Sequence, residues 1–173
     1  LKNLSTFCYL TNSGSEINIG KSSYSYFLLK PNDKFAEMFN INREIICLFS
    51  TYQNFEPRTL ETYNKIIDEV AKFRVENICF ILISKDNNID EKINNLIETE
   101  PEHPIVIPFS YLDLTKQILE SAFENKFREK FYTRDLFSFS SALKKDTYFF
   151  GRNNLVNGIV NKHKSFEHSG LFG

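Results

Sequence analysis

Tryptophan is absent from the 173-residue chain, and methionine (one), cysteine (three), proline (five) and glycine (six) are scarce. So little glycine and proline excludes collagen-like or low-complexity structure. Cys8, Cys47 and Cys79 are odd in number and form no C-x-x-C pair, so a secreted disulfide framework is not expected. Cys47 and Cys79 sit in apolar runs, where a thiol packs as a small hydrophobe, and a reducing cytoplasm is the expected location. No apolar run approaches the ~18 residues that a bilayer span requires. No basic segment leads into an apolar stretch at the start, so no signal peptide is expected; the missing initiator Met reads as processing or a fragment. Charge of one sign is lacking as well. The 21 basic and 22 acidic side chains leave a net charge of −1, so the overall field draws in neither nucleic acid nor a membrane surface.

What is abundant is phenylalanine, at 18 residues. Together with frequent Asn, Ile and Lys it is consistent with an AT-rich genome and carries little functional weight. The apolar share of 42% and charged share of 25% are those of an ordinary soluble domain. A chain of this size buries a core without a metal or disulfide staple.

Apolar runs punctuate the sequence. Residues 24–30 read as a strand, with Pro31-Asn32-Asp33 opening a short helix to about Asn40. Residues 44–50, 78–84 and 105–109 are near-continuous apolar runs of strand length, the signature of strands covered on both faces. Between them, Leu60, Tyr63, Ile66, Ile67, Val70 and Phe73 recur at helical steps over residues 57–73, and Ile89, Ile93, Leu96 and Ile97 do so over 90–98. A third stripe, Ile118, Leu119, Ala122, Phe123, Phe127 and Phe131, predicts a helix over 115–131. This alternation predicts an α/β fold: an open, mostly parallel sheet flanked by helices, Rossmann-like or flavodoxin-like, with a C-terminal extension. The module is expected over residues 1–131 and an irregular connection over 132–152. A short helix over 153–162 is expected to turn Leu155, Val156, Ile159 and Val160 inward.

Open α/β sheets bind ligands at the carboxyl ends of their strands. Three strand ends supply suitable chemistry there: Ser50-Thr51-Tyr52, Ser84-Lys85-Asp86 and Ser110-Tyr111. The hydroxyls donate or accept, Lys85 is a cation, and Tyr52 or Tyr111 offers a ring for stacking. Arg58, in the first turn of the next helix, can hold an anion beside the helix N-terminus. The competing interpretation, which is favoured, is that Ser, Thr and Asp here only cap the following helices.

Other chemistries find less support. No G-x-G-x-x-G or G-x-S-x-G occurs. His103, His163 and His168 have no zinc-like spacing and are expected as solvated imidazoles. A metal-dependent nuclease core needs carboxylates on its strands, and these strands carry almost none. The stretch 126–152 sets Lys126, Arg128, Lys130, Arg134, Lys144, Lys145 and Arg152 against Glu129, Asp135 and Asp146, with Phe and Tyr interleaved. Nucleic acid can stack on such a segment, but a docking segment with packed rings and solvated charges is the favoured reading.

The end of the chain carries the most specific pattern. Phe149-Phe150-Gly151-Arg152, an amphipathic helix, and residues 169–172 leading into Gly173 resemble the approach to the nucleotide-binding domain of STAND-type P-loop ATPases. Upstream, residues 26–31, 49–60, 81–86, 107–111 and 127–152, including Arg134-Asp135-Leu136-Phe137 and Leu143-Lys144-Lys145-Asp146, resemble the N-terminal region of bacterial STAND ATPases. The resemblance implies that Gly173 is the first glycine of a Gly-x-x-x-x-Gly-Lys-Ser/Thr loop whose remainder lies beyond this chain. It implies a regulatory, effector or interaction module without catalysis of its own, and ATP and magnesium for the parent protein only. The implied partner is the protein's own ATPase domain, docked through Arg134, Lys144, Lys145, Phe150 and Arg152. Self-association through Phe149, Phe150, Leu171 and Phe172 is a further expectation. A second, slighter likeness joins Leu48-Phe49-Ser50-Thr51-Tyr52 to the first strand and loop of TIR domains, which implies an effector enzyme acting on NAD or another nucleotide. Glu91, Glu98 and Glu100 are available for it, but none stands in a Trp-Cys-x-x-Glu setting.

Overall fold

The computed structural model describes residues 4–69, 74–99, 103–115, 120–132 and 153–165. The chain divides into two compact units, Leu1–Asp135 and Leu136–Gly173. The first opens with a single 3-10 turn, Leu4–Thr6, followed by strands β1 (Cys8–Leu10), β2 (Ser15–Ile19) and β3 (Ser22–Pro31). Then come α1 (Asp33–Phe39), β4 (Glu44–Ser50), α2 (Arg58–Glu69), β5 (Val75–Ser84), α3 (Ile89–Thr99), β6 (Ile105–Ser110), α4 (Tyr111–Thr115) and α5 (Glu120–Tyr132).

The expected α/β class is present, as an open, mixed six-stranded sheet flanked by helices. Strands β4, β5 and β6 are parallel and adjacent in sequence order. Beside β4 lies β3, antiparallel to it. Only about a dozen residues separate these two strands, the lower limit for a parallel crossover, and α1 fills that link. Asn32 caps α1, its side chain accepting from the Phe35 amide at 2.9 Å. Asn40 ends the helix in the left-handed conformation (φ 52°).

On the outer side of β3, β1 and β2 lie end to end, each antiparallel to it. Between them the Thr11 amide donates to the Leu28 carbonyl at 3.0 Å, while the Leu28 amide donates to Asn12 Oδ1 at 2.7 Å. A side-chain oxygen thus takes the place of a strand carbonyl and interrupts the edge, which discourages pairing with another chain. Gly14 completes the kink at φ +97°, where a Cβ would stand 3.0 Å from the Phe27 ring.

Side chains alternate across the sheet. Ile46 and Leu48, Phe80 and Leu82, and Val106 face α2 and α3, whose Tyr63, Ile66, Ile89 and Ile93 complete that half of the core. Tyr63 stacks on Phe80 with centroids 4.3 Å apart and donates its hydroxyl to the Glu76 carbonyl at 3.1 Å. The opposite half is an aromatic cluster in which Phe7, Phe35, Phe39 and Phe109 meet Phe123 and Phe127 of α5. All three cysteines are free and buried, so Cys8 joins the two expected to pack as hydrophobes.

Helices α3 and α5 bracket β6. Lys126 and Lys130 of α5 both pair with Asp90 of α3, and Lys130 Nζ also donates to Asn94 Oδ1 at 3.0 Å. Lys126 in addition lies over the Phe109 ring, 5.0 Å from its centroid.

The second unit contains helix α6 (Asn153–Lys164), with Lys162, His163 and Lys164 in its last turn, where cations complement the helix dipole. Val160 is exposed rather than turned inward, and Ile159 is half-buried. Among the described residues no helix is long and apolar enough to cross a membrane.

Candidate functional site

The three strand ends singled out in the sequence come together. Ser50 of β4 pairs in register with Ser84 of β5, which pairs in register with Ser110 of β6. All three are buried. By strand alternation they continue the face of Ile46, Leu48, Phe80, Leu82 and Val106, on the side of α2 and α3. From β4 and β5 the chain departs toward that face. After β6 it leads to α5, which packs on the opposite one through Phe123 and Phe127. Connections therefore diverge between Ser84 and Ser110, the geometry at which open α/β sheets form a crevice.

Much of this polar row is committed to the fold. Ser110 and Asp113 form a reciprocal cap on α4: the Asp113 amide donates to Ser110 Oγ at 3.1 Å, and the Ser110 amide to Asp113 Oδ2 at 2.8 Å. Ser84 Oγ accepts from the Asp86 amide at 3.1 Å. Asp86 is buried, and its carboxylate accepts from the Phe55 amide (2.7 Å), the Asn88 amide (3.0 Å) and Lys92 Nζ (2.5 Å). Burial pushes the Asp86 carboxyl up, but the Lys92 ammonium and the two amides outweigh it and hold the group below its usual range. Asp86 therefore ties residues 51–57 to the start of α3. This is not the helix capping weighed in the sequence: the carboxylate holds the Asn88 amide just ahead of α3 and a partner 31 positions away.

The remaining predicted residues take varied places. Tyr52 accepts from the Ser23 amide at 3.0 Å through its hydroxyl, and its ring leans on that of Tyr24 at 5.5 Å. Since Ser25 pairs with Phe49 in an antiparallel ladder, Ser23 lies beyond the end of β4, and the phenol supplies the acceptor the strand no longer offers. Arg58 Nη1 donates to Ser22 Oγ at 3.2 Å and stands 4.0 Å from Glu56. Thr51 and Lys85 are exposed, the latter donating its amide to the Ser50 carbonyl at 3.1 Å. Tyr111 is half-buried, and desolvation raises its phenol above the ordinary value. In contrast to these, Ser50 Oγ is buried without a hydrogen-bond partner among the described residues.

His103 departs from expectation. It is buried where the chain turns into β6, its Nδ1 3.1 Å from the Pro104 carbonyl, whereas His163 is exposed as expected. Histidine is amphipathic enough to be packed at a strand end once one nitrogen finds a carbonyl. Of the basic stretch, Lys126, Arg128 and Lys130 are held by Asp90 and Glu124 within the α/β unit. Arg134, Lys144, Lys145, Phe150, Arg152, His168 and Gly173 lie outside the described residues, as do Phe149, Leu171, Phe172 and Glu100. Among the described residues, no group of three or more His, Cys, Asp or Glu is gathered as a metal would require.

Sequence reasoning passed over Asn12, Lys92 and the β2–β3 hairpin. The hairpin had a readable signal, a Gly20-Lys21 turn between alternating residues (φ +58° at Gly20). Compared with known proteins, the chain matches no family model, no curated protein and no solved structure.

Proposed function

We propose that this chain is the N-terminal regulatory or interaction module of a cytoplasmic STAND-type ATPase, working in signal transduction, and that residues 153–173 begin the ATPase domain itself. The observation that carries this reading is the change of unit at residues 135–136. It falls between the α/β module and the aromatic-Gly-Arg segment that resembles the ATPase approach, so helix α6 belongs to the second unit and not to that of the sheet. The Asp86 carboxylate adds support, since this buried acid at the strand ends is engaged by three donors of the fold and anchors two loops. On this reading, nucleotide chemistry belongs to the parent protein, with ATP and magnesium bound beyond Gly173. The partner of the module is then the parent's own ATPase domain.

The seven residues after Gly173 in the parent gene test this directly. They are expected to supply four residues, then Gly, Lys and Ser or Thr. Any other sequence there removes the assignment. The present chain is expected to show no ATP hydrolysis, because the lysine that meets the β- and γ-phosphates is not among its residues.

A further inference from the structure

Ser50 stands out among the polar groups of the sheet. It is 1% exposed, and its hydroxyl has no partner among the described residues, although its neighbours in register, Ser84 and Ser110, are both engaged. A buried hydroxyl left without a partner carries an uncompensated desolvation cost and is rare in native structures. Its surroundings explain what could satisfy it. Tyr24 is buried and adjacent to Ser25, which pairs with Phe49, so it flanks Ser50 on β3; the Tyr52 ring leans on Tyr24. Residues 51–57 then lead into α2, a twelve-residue helix whose N-terminus bears Arg58. That guanidinium is about half exposed, and it meets a neutral hydroxyl and a carboxylate at the 4.0 Å limit.

A hydroxyl donor, a weakly committed arginine and the positive end of a helix are the parts from which phosphoryl sites are built. We propose that the carboxyl end of β4 binds a phosphoryl group between Ser50 and the N-terminus of α2, with Arg58 as its counter-charge. The Ser50 hydroxyl donates to one oxygen and Arg58 to the others. Residues 51–54, exposed and between the two, shift to admit the group. The Tyr52 ring at the rim offers a stacking face if the phosphoryl group belongs to a nucleotide. This site lies wholly within the α/β unit and is independent of any sequence beyond Gly173.

The test is a titration of the intact chain with inorganic phosphate, and separately with AMP and adenosine, at constant ionic strength, followed by amide NMR. Saturable shifts at Ser50, Thr51 and Arg58 are expected with phosphate and AMP, and none with adenosine alone. Ser50→Ala and Arg58→Gln are each expected to weaken binding about tenfold or more, the loss of one charge-assisted hydrogen bond. AMP binding over tenfold tighter than phosphate identifies a nucleotide as the source; equal affinities identify free phosphate. No saturable shift, or shifts that persist unchanged in both variants (an adventitious ion only), overturns the proposal. A second measurement needs no ligand. In phosphate-free buffer Ser50→Ala is expected to raise the melting temperature, because it deletes an unpaired buried hydroxyl. A fall would mean that the hydroxyl is already satisfied by the fold, and would also overturn the site.

Discussion

The Phe55 amide donates to Asp86 Oδ2 at 2.7 Å, joining the connection after β4 to the one after β5. The same carboxylate holds Lys92 and the Asn88 amide, so one buried side chain fixes two loops and the start of α3. Asp86→Ala leaves two amides and an ammonium without their acceptor. The cost is expected at about 2–3 kcal/mol, below the ~3–5 kcal/mol of breaking a fully buried pair, because Lys92 is partly solvated. Urea unfolding monitored by circular dichroism measures it; a loss below about 0.5 kcal/mol would show that the latch is not used.

The same group gives an acid dependence of known sign. Its native value lies below the ordinary ~3.9 of an unfolded aspartate. Its contribution is therefore complete above about pH 4 to 5, begins to fall as pH drops through the unfolded value, and is gone only below the depressed native one. The difference in urea midpoint between wild type and Asp86→Asn is expected to be constant from about pH 8 to 5 and to shrink below about pH 4. A difference that grows on acidification would reverse the assignment.

Tyr52 serves β3 as an acceptor beyond the end of β4. Because Ser23 is exposed, water can replace the phenol, so Tyr52→Phe is expected to cost only about 0.5 kcal/mol. The clearer signal is local: the Ser23 amide should exchange with deuterium faster in the variant while amides of β5 are unchanged. Equal Ser23 rates in both proteins would remove this role.

Phe127 is fully buried and contacts the rings of Phe35, Phe39, Phe123 and Phe131. Truncation to alanine removes its burial and opens a cavity that neighbouring rings cannot fill, at an expected cost of about 3–5 kcal/mol. Denaturant melts of Phe127→Ala and Phe127→Leu decide it, with the leucine variant expected to recover more than half of the loss.

Burial pushes the Cys8 thiol up to about 12 and raises Cys47 and Cys79 as well. Thiolate is the reactive form, so all three are expected to resist a disulfide reagent at about pH 8 and to react fully in denaturant. Rapid native labelling of even one would contradict the packing of that half of the core.

The α/β class and the places of its main elements were legible in the chain before any folding was considered. Residues 44–50 became β4 without change, a helix opens after Pro31-Asn32 as expected, and Tyr63, Ile66, Phe123 and Phe127 took the core positions that their spacing announced. These are local matters: an apolar run or a helical stripe records its own burial, because exposure is unfavourable residue by residue. Pairing is different, and it was settled by the assembled sheet. That β3 runs antiparallel to β4, that β1 and β2 share one edge, and that Ser50, Ser84 and Ser110 fall into one row depend on strand order and register. The Asp86–Phe55 latch and the joint hold of Lys126 and Lys130 on Asp90 likewise join residues more than thirty positions apart. A hydrogen bond of that kind leaves no periodicity in the chain, because its two ends meet only after the sheet has brought their loops together, and so Asp86 reads alone as a cap and Ser50 as one hydroxyl among many.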